Sequence, residues 1–375
     1  MDLAAYVDGG VQDILATAGT FYLSHPRGLK FLANETVYIA RARRRRRKAQ
    51  EAGLHVPVFL IASIASECNL DCVGCYARAN GSIGPKAKAR ELTDEDWGRI
   101  FDEAQELGVS FVLLAGGEPT MRPAVLKDAA AHESIVFPVF TNGLLLDEDY
   151  LEFFDMHRNL VPVFSLEGDG MRTDARRGPG VAHAVHPKMV ACRQRRILWG
   201  ASITVTTENL GQVTSDTYVG ELHDLGCGLV VYVEYVPVDP STRHLALGKE
   251  EQQLLLDRVA TMHADEAYRG TMLVAFPGGE ERMGGCLAAG RGFFHIAQDG
   301  AAEPCPFSPY SVANVRDVGL EGALRSSFFE RVRAIEGAHA FEHTGGCTLF
   351  LHADEVERAL ETKETPKGCT GGTVP

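Results

Sequence analysis

The sequence has no apolar run of about 18 residues or more, so no segment is predicted to span a bilayer. Its first eight residues, Met1 to Asp8, hold acids where a secretory signal needs cations, and no long apolar stretch follows. A cytoplasmic location is expected. Cations are in short supply: 37 Lys and Arg against 50 Asp and Glu leave a net charge of −13. A phosphate backbone would be repelled by such a surface, which excludes general nucleic-acid binding. One local exception stands out, the cation run Arg43 to Lys48 with Arg41 just upstream. Internal repeats and extended low-complexity tracts are absent too. The nine cysteines are an odd number, and in a reducing compartment they point to metal ligands or buried thiols rather than disulfides.

What is present is ordinary globular composition, 45% apolar and 23% charged. Residues 1–55 read as a helical arm, with a break around His25-Pro26-Arg27-Gly28. Apolar runs then alternate with amphipathic segments. The runs are Val58 to Ile64, Ser110 to Leu114, Ile135 to Phe140, Val161 to Leu166, Ala201 to Thr206 and Leu229 to Val236. They are rich in Val, Ile and Phe and apolar almost throughout, as strands covered on both faces are. Between the first two runs Thr93 reads as an N-cap followed by three acids, and Gly108 as the stop. Repeated strand–helix units imply parallel strands with right-handed crossovers. The expected fold is α/β, a partial (β/α)6 TIM-like barrel over 56–268, short of a closed barrel. Beyond it Gly and Pro become frequent and strands shorten. Residues 269–375 read as a small C-terminal α+β module that bound metal would help stabilise, with Leu320 to Ile335 expected as one helix.

Three cysteines fall together in Cys68-Asn69-Leu70-Asp71-Cys72-Val73-Gly74-Cys75, directly after the first strand. That loop lies at the strand's C-terminal end, where chemistry collects in parallel α/β architectures. Thiolates are natural iron–sulfur ligands, and three of them leave one iron of a cubane open. A zinc site is the competing metal reading, although the usual zinc-ribbon pairs are missing. The spacing C-x3-C-x2-C followed by an aromatic residue, Tyr76, resembles the radical S-adenosylmethionine (SAM) superfamily. The resemblance implies a [4Fe-4S] cluster whose open iron binds SAM, reductive SAM cleavage, and a 5′-deoxyadenosyl radical that takes hydrogen from substrate. The remaining motifs follow in the family's order. Gly116-Gly117-Glu118-Pro119 matches the GGEP motif, whose carboxylate and carbonyls can accept from an ammonium group. Thr141-Asn142-Gly143 resembles a turn of relatives. Ser165-Leu166-Glu167-Gly168 resembles a Ser-Leu-Asp-Gly stretch facing the SAM ribose, with Glu in place of Asp. Asp174, Arg177 and Gly178 resemble a stretch whose Arg pairs with the SAM carboxylate. Ser202 and Thr204 are candidate SAM contacts on the fifth strand.

The late cysteines form a second pattern. Gly300 and Cys305 give a G-x4-C spacing, with Cys286 upstream, Cys347 after two glycines, and Cys369 in a Gly-rich tail. The arrangement resembles the SPASM and twitch modules, which implies one auxiliary Fe-S cluster, expected as [4Fe-4S]. Its fourth ligand stays open between Cys369, His343, His352 and a vacant iron that binds substrate. Cys192 and Cys227 read as ordinary buried thiols. The expected partners are SAM, a peptide or small-molecule substrate, and a reducing electron donor such as flavodoxin or ferredoxin. Oxidation, cross-linking and epimerisation all remain open as outcomes. The arginine run is expected as a solvated helix face, with an anionic membrane surface or an acidic partner as the sharper readings. The competing function class is a non-enzymatic iron–sulfur electron carrier or cluster-dependent binding protein.

Overall fold

The computed structural model describes residues 17–23, 25–88, 90–238, 240–277, 285–339 and 347–361. A long helix, α1 (Pro26–Glu51), leads into β1 (Phe59–Ala65), with Pro26 in its first turn as the break at His25 predicts. There follow α2 (Asp94–Leu107), β2 (Phe111–Gly116), α3 (Pro123–Ala131), β3 (Phe137–Thr141), α4 (Glu148–Met156), β4 (Leu160–Leu166), α5 (Gly170–Arg177), α6 (Val181–Gln194), β5 (Gly200–Val205), α7 (Asp216–Asp224), β6 (Leu229–Glu234) and α8 (Lys249–His263). All six apolar runs are thus strands. They pair in parallel in sequence order, forming a partial barrel flanked by helices.

The sheet extends past them on both edges. A strand the composition hides, β7 (Met272–Phe276), pairs in parallel with β6. On the other edge β8 (His295–Ile296) pairs in parallel with β1, and β9 (Ala302–Glu303) in antiparallel with β8. The C-terminal region therefore grows out of the barrel sheet itself. It continues through α9 (Val315–Leu324), α10 (Ser327–Ala338), α11 (Thr348–Leu351) and α12 (Ala353–Glu361). The single helix expected from Leu320 to Ile335 is two helices. Ser326 interrupts it, its hydroxyl accepting from the Phe328 amide as the N-cap of α10.

α2 shows why the local sequence suffices there. Thr93 Oγ1 accepts from the Asp96 amide at 3.1 Å and Asp96 accepts from the Thr93 amide at 3.2 Å, a complete capping box. Gly108 ends the helix at φ 92°. Trp97, Phe101 and Ala104 then enter the core fully buried, with the Phe101 ring edge-on to Phe137 of β3.

The arm closes the base of the barrel, the end at which the strands begin. Phe21, Phe31 and Leu32 pack against Val136, Val161, Val163 and Leu198. Tyr38 bonds Glu133 before β3, and Tyr22 lies under the Arg158 carbonyl before β4. With the base plugged, the loops leaving the strands' C-terminal ends are where a ligand can enter. Among the described residues no helix is long and apolar enough to cross a membrane.

Candidate metal and cofactor site

Cys68, Cys72 and Cys75 lie half-buried on the loop leaving β1. Burial pushes the thiols of Cys68 and Cys72 up, and at Cys72 the neighbouring Arg177 and Arg176 pull the other way. Coordinated metal, which keeps its ligands as thiolates, would outweigh that burial. The loop is clamped along its length. Arg78 donates to the Leu70 carbonyl and pairs with Asp71 at 2.8 Å. Val73 exchanges bonds with Arg176, its amide donating to the Arg176 carbonyl at 2.9 Å and its carbonyl accepting from Arg176 Nε at 3.1 Å. Gly74, at φ 67°, lies against the Tyr235 ring so closely that an added Cβ would stand 2.9 Å from its hydroxyl.

The turn after β2 is pressed onto this loop. A Cβ on Gly117 would lie 1.9 Å from the Glu67 carbonyl oxygen, so that position admits glycine alone. The Glu118 amide donates to the same carbonyl at 2.8 Å. The Glu118 side chain, 1% exposed, accepts from the Thr120 amide and hydroxyl, from the Thr141 hydroxyl at 2.7 Å and from the Asn142 amide at 2.8 Å. Its carboxylate is thus occupied in bracing the loops after β2 and β3. The acceptors left for an ammonium group at Gly116-Gly117-Glu118-Pro119 are backbone carbonyls. Asn142 in turn donates to Asn69 of the cysteine loop at 2.7 Å.

At β4 and β5, Ser165 and Ser202 are register partners. Two residues on, Glu167 is buried and gathers the last two arginines of α5. Its Oε1 accepts from Arg176 Nη1 at 2.6 Å, and from Arg177 Nε at 2.9 Å and Nη2 at 2.6 Å. Arg176 also donates to Thr204 Oγ1 at 2.7 Å. Glu167 Oε2 is buried without a hydrogen-bond partner in the structure. An unpaired buried carboxylate oxygen is costly, and a ligand hydroxyl is the kind of donor it lacks. Sequence reasoning singled out Arg177 and passed over Arg176, the residue that ties Glu167, Thr204 and the cysteine loop together. Adjacent arginines on a helix look alike in sequence, and only the register of α5 separates them.

The second group of thiols converges as well. Cys286, Cys305 and Cys347 come from three separate segments, and all are buried. The Cys305 thiol is raised well above its ordinary value by burial, then by its hydrogen bond to Cys347 and by the charges of Cys347 and Cys286. Arg291 Nη1 donates to the carbonyls of Gly285 at 2.6 Å and Cys286 at 2.9 Å, fixing the loop that carries Cys286. Tyr76 links the two segments. Burial raises its hydroxyl pKa, with Cys75, Cys305 and Glu303 the charges it feels, and its ring meets Phe307 edge-on at 5.2 Å. Cys369 and His343 lie outside the described residues. His352 stacks on His339 with ring centroids 3.6 Å apart, and Glu355 Oε1 is 3.2 Å from His339 Nε2 and 3.3 Å from His352 Nδ1. These three form a second group in the C-terminal region able to hold a metal ion. Cys192 and Cys227 are buried thiols raised to about 12 by burial.

One buried chain escaped the sequence entirely. Ser63 Oγ is 2.8 Å from His295 Nε2, and His295 Nδ1 is 2.7 Å from Glu303 Oε2. It crosses β1, β8 and β9, so nothing along the chain announces it.

Comparison with known proteins agrees with this geometry. Residues 63–185 match the family model described as the radical SAM superfamily. The chain is 26% identical over 352 residues to the PqqA peptide cyclase of Gluconobacter oxydans, spanning 83% of this chain and 96% of that protein. It is 24% identical over 290 residues to the AdoMet-dependent heme synthase of Methanosarcina barkeri, spanning 70% and 80%. Among solved structures it resembles Streptococcus suis SuiB, with a TM-score of 0.64 and 17% identity over 86% of this chain and 79% of that one. SuiB bound to its precursor peptide SuiA gives a TM-score of 0.60 at 17% identity, over 82% and 72%.

Proposed function

We propose that this chain, a radical SAM enzyme with a C-terminal auxiliary metal site, oxidatively modifies a side chain of a peptide substrate in the cytoplasm. Bound SAM and a reduced [4Fe-4S] cluster supply the radical chemistry. Cys68, Cys72 and Cys75 would hold that cluster. The carbonyls at Gly116 to Pro119 would receive the SAM ammonium group, Ser165, Glu167, Ser202 and Thr204 its ribose side, and Arg177 its carboxylate. Cys286, Cys305 and Cys347 would hold one auxiliary [4Fe-4S] cluster. Its fourth ligand is Cys369, a histidine (His343 or His352), or the substrate. A flavodoxin or ferredoxin would deliver the reducing electron. The proposed division is an arm to residue 55, a catalytic barrel to 268, and an auxiliary module from 269 whose first strand, β7, joins the barrel sheet.

The observation that carries this reading is the ring of Tyr76, next after Cys75, meeting edge-on at 5.2 Å the ring of Phe307, two residues after Cys305. That contact joins the cysteine loop to the segment of Cys305, which supports a redox role for a second centre over a purely structural one. The peptide substrate is favoured by the full-length likeness to a peptide cyclase and by the shared fold with SuiB. A porphyrin substrate is the second reading, favoured by the likeness to a heme synthase.

The test is anaerobic reaction of the reconstituted protein with SAM and dithionite, with 5′-deoxyadenosine measured by mass spectrometry. A peptide library and iron-coproporphyrin are added in separate arms. The proposal expects cleavage that is lost in Cys72→Ala, and peptides lighter by two hydrogens or cross-linked. In Cys305→Ala, iron should fall from about eight to about four per chain, with 5′-deoxyadenosine still made but no peptide product. A chemically altered porphyrin would move the assignment to the second reading. Protein that holds iron at the triad yet neither binds nor cleaves SAM would be an electron carrier instead.

A further inference from the structure

The arginine run is the one sequence motif that catalysis leaves unused. The structure divides it by helical phase. Arg45 and Arg46 turn inward, donating to the carbonyls of Gln105 and Gly108 at the C-terminal end of α2, and Arg46 also donates to Ser110 Oγ at 3.0 Å. Cations at a helix C-terminus satisfy its open carbonyls and its dipole, so these two hold the arm to the barrel. The outward face is different. Leu29, Ala33, Val37, Arg41, Arg44 and Lys48 are all exposed and fall at three- and four-residue spacing, on one stripe of α1. Leu29 and Val37 are each 46% exposed. Among the described residues no carboxylate forms an ion pair with Arg41, Arg44 or Lys48, while the neighbouring Arg47 has Glu51 at 4.0 Å. One stripe therefore presents apolar side chains along its first half and cations along its second, on a molecule of net charge −13.

We propose that this outward stripe of α1 docks the enzyme on an anionic lipid surface. A convex helix with apolar groups beside unpaired cations matches a headgroup layer, where the cations meet phosphates and the apolar groups enter the interface. Position supports this occupant. α1 runs across the base of the barrel, and the cysteine loop leaves the opposite end, so a docked molecule keeps its ligand-entry end turned away from the lipid. Each outward cation contributes about fivefold to partitioning at low salt.

The test is cosedimentation of the cluster-loaded protein with vesicles of phosphatidylcholine alone or mixed with phosphatidylglycerol. The variants are R41E/R44E/K48E and the milder R41Q/R44Q/K48Q, both of which leave Arg45 and Arg46 in place. Iron content and thermal midpoint confirm that each is folded. The proposal expects the wild type on the phosphatidylglycerol vesicles only, and its release at about 1 M salt, where the Debye length is about 3 Å. The glutamine variant should lose partitioning by about 100-fold, three steps of about fivefold, and the glutamate variant by more. A wild type that ignores the anionic vesicles, leaving the stripe to an acidic protein partner or to solvent, overturns the proposal. So does a glutamine variant that partitions like the wild type.

Discussion

Glu35 gives the sharpest physical test of how the arm is seated. Its side chain is 2% exposed, Oε1 has no hydrogen-bond partner, and burial pushes the carboxyl up from the ordinary 4.5 to about 8. The native state therefore keeps this proton to about pH 8, whereas the unfolded chain releases it near 4.5. Between those values the native state binds more protons, so stability falls as pH rises through the window and levels off above it. At about 1.4 kcal/mol per pH decade, the whole interval amounts to roughly 5 kcal/mol. Glu35→Gln keeps the shape and removes the titration. The difference between variant and wild type should be small at pH 4.5 and should open to the full amount near pH 8.5. An unfolding entropy of about 2 cal/mol/K per residue makes 1 kcal/mol worth about 1.3 °C in a chain this long. The midpoint gap should thus grow by about 6 °C in paired anaerobic thermal scans at one scan rate. A gap that stays constant from pH 4.5 to 8.5 would refute the reasoning, because Glu35 would then ionise as freely in the fold as out of it.

Four further outcomes are expected. Gly117→Ala sets a Cβ against the Glu67 carbonyl, so the turn after β2 must leave the cysteine loop; reconstituted iron at the triad should drop severalfold. Gly81→Ala, with a positive φ but open space around it, should cost only about 1 kcal/mol and leave the iron intact. Glu167→Gln weakens the hold on Arg176 and Arg177 and should loosen SAM by about tenfold, or ~1.4 kcal/mol, at unchanged iron content; equilibrium dialysis with labelled SAM reads this, and an unaltered dissociation constant would remove Glu167 from the site. Thr93→Ala removes the capping box of α2 and should cost ~1 kcal/mol, seen as a midpoint lowered by about 1 °C with SAM cleavage retained.

How far the sequence could be read depended on whether the signal was local. The six strands were legible because strands buried on both faces must be apolar along their whole length. α2 was legible because Thr93 and Gly108 carry their own start and stop chemistry. Met272 to Phe276 is no less apolar, but it is short and sits among glycines and prolines, where only pairing with β6 makes it a strand. Ser326 was invisible as a break because the stripe Leu324, Phe328, Val332 and Ile335 continues on either side of it. At the loop after β1, spacing brought Cys68, Cys72 and Cys75 together, since residues on one loop lie close in sequence. The roles of the polar groups were hidden, because each depends on a partner from another strand. Ser63 and His295 are 232 residues apart and meet only because β8 adds beside β1.

The polar groups also change how the charge balance should be understood. Three acids stand where strands end, and each braces loops rather than facing solvent. Glu91 Oε1 accepts from the amide and hydroxyl of Ser66 at the exit of β1, and its Oε2 pairs with Lys88 and Arg122. Burial alone would raise its carboxyl, but these partners reverse the shift and hold it below the ordinary range. Glu118 ties the turn after β2 to the turn after β3, and Glu167 ties β4 to α5 and, through Arg176, to the loop of Cys72 and Cys75. Loops proposed to carry a cluster and a small cofactor cannot rely on apolar packing, because a ligand would have to enter there. Charge-assisted hydrogen bonds fix geometry without filling the space, and a low local dielectric strengthens them. On this view the excess of acids is partly internal scaffolding. Neutralising Glu91, Glu118 or Glu167 should disturb the site's geometry well before it disturbs the barrel, whose core lies on the other side of the same strands.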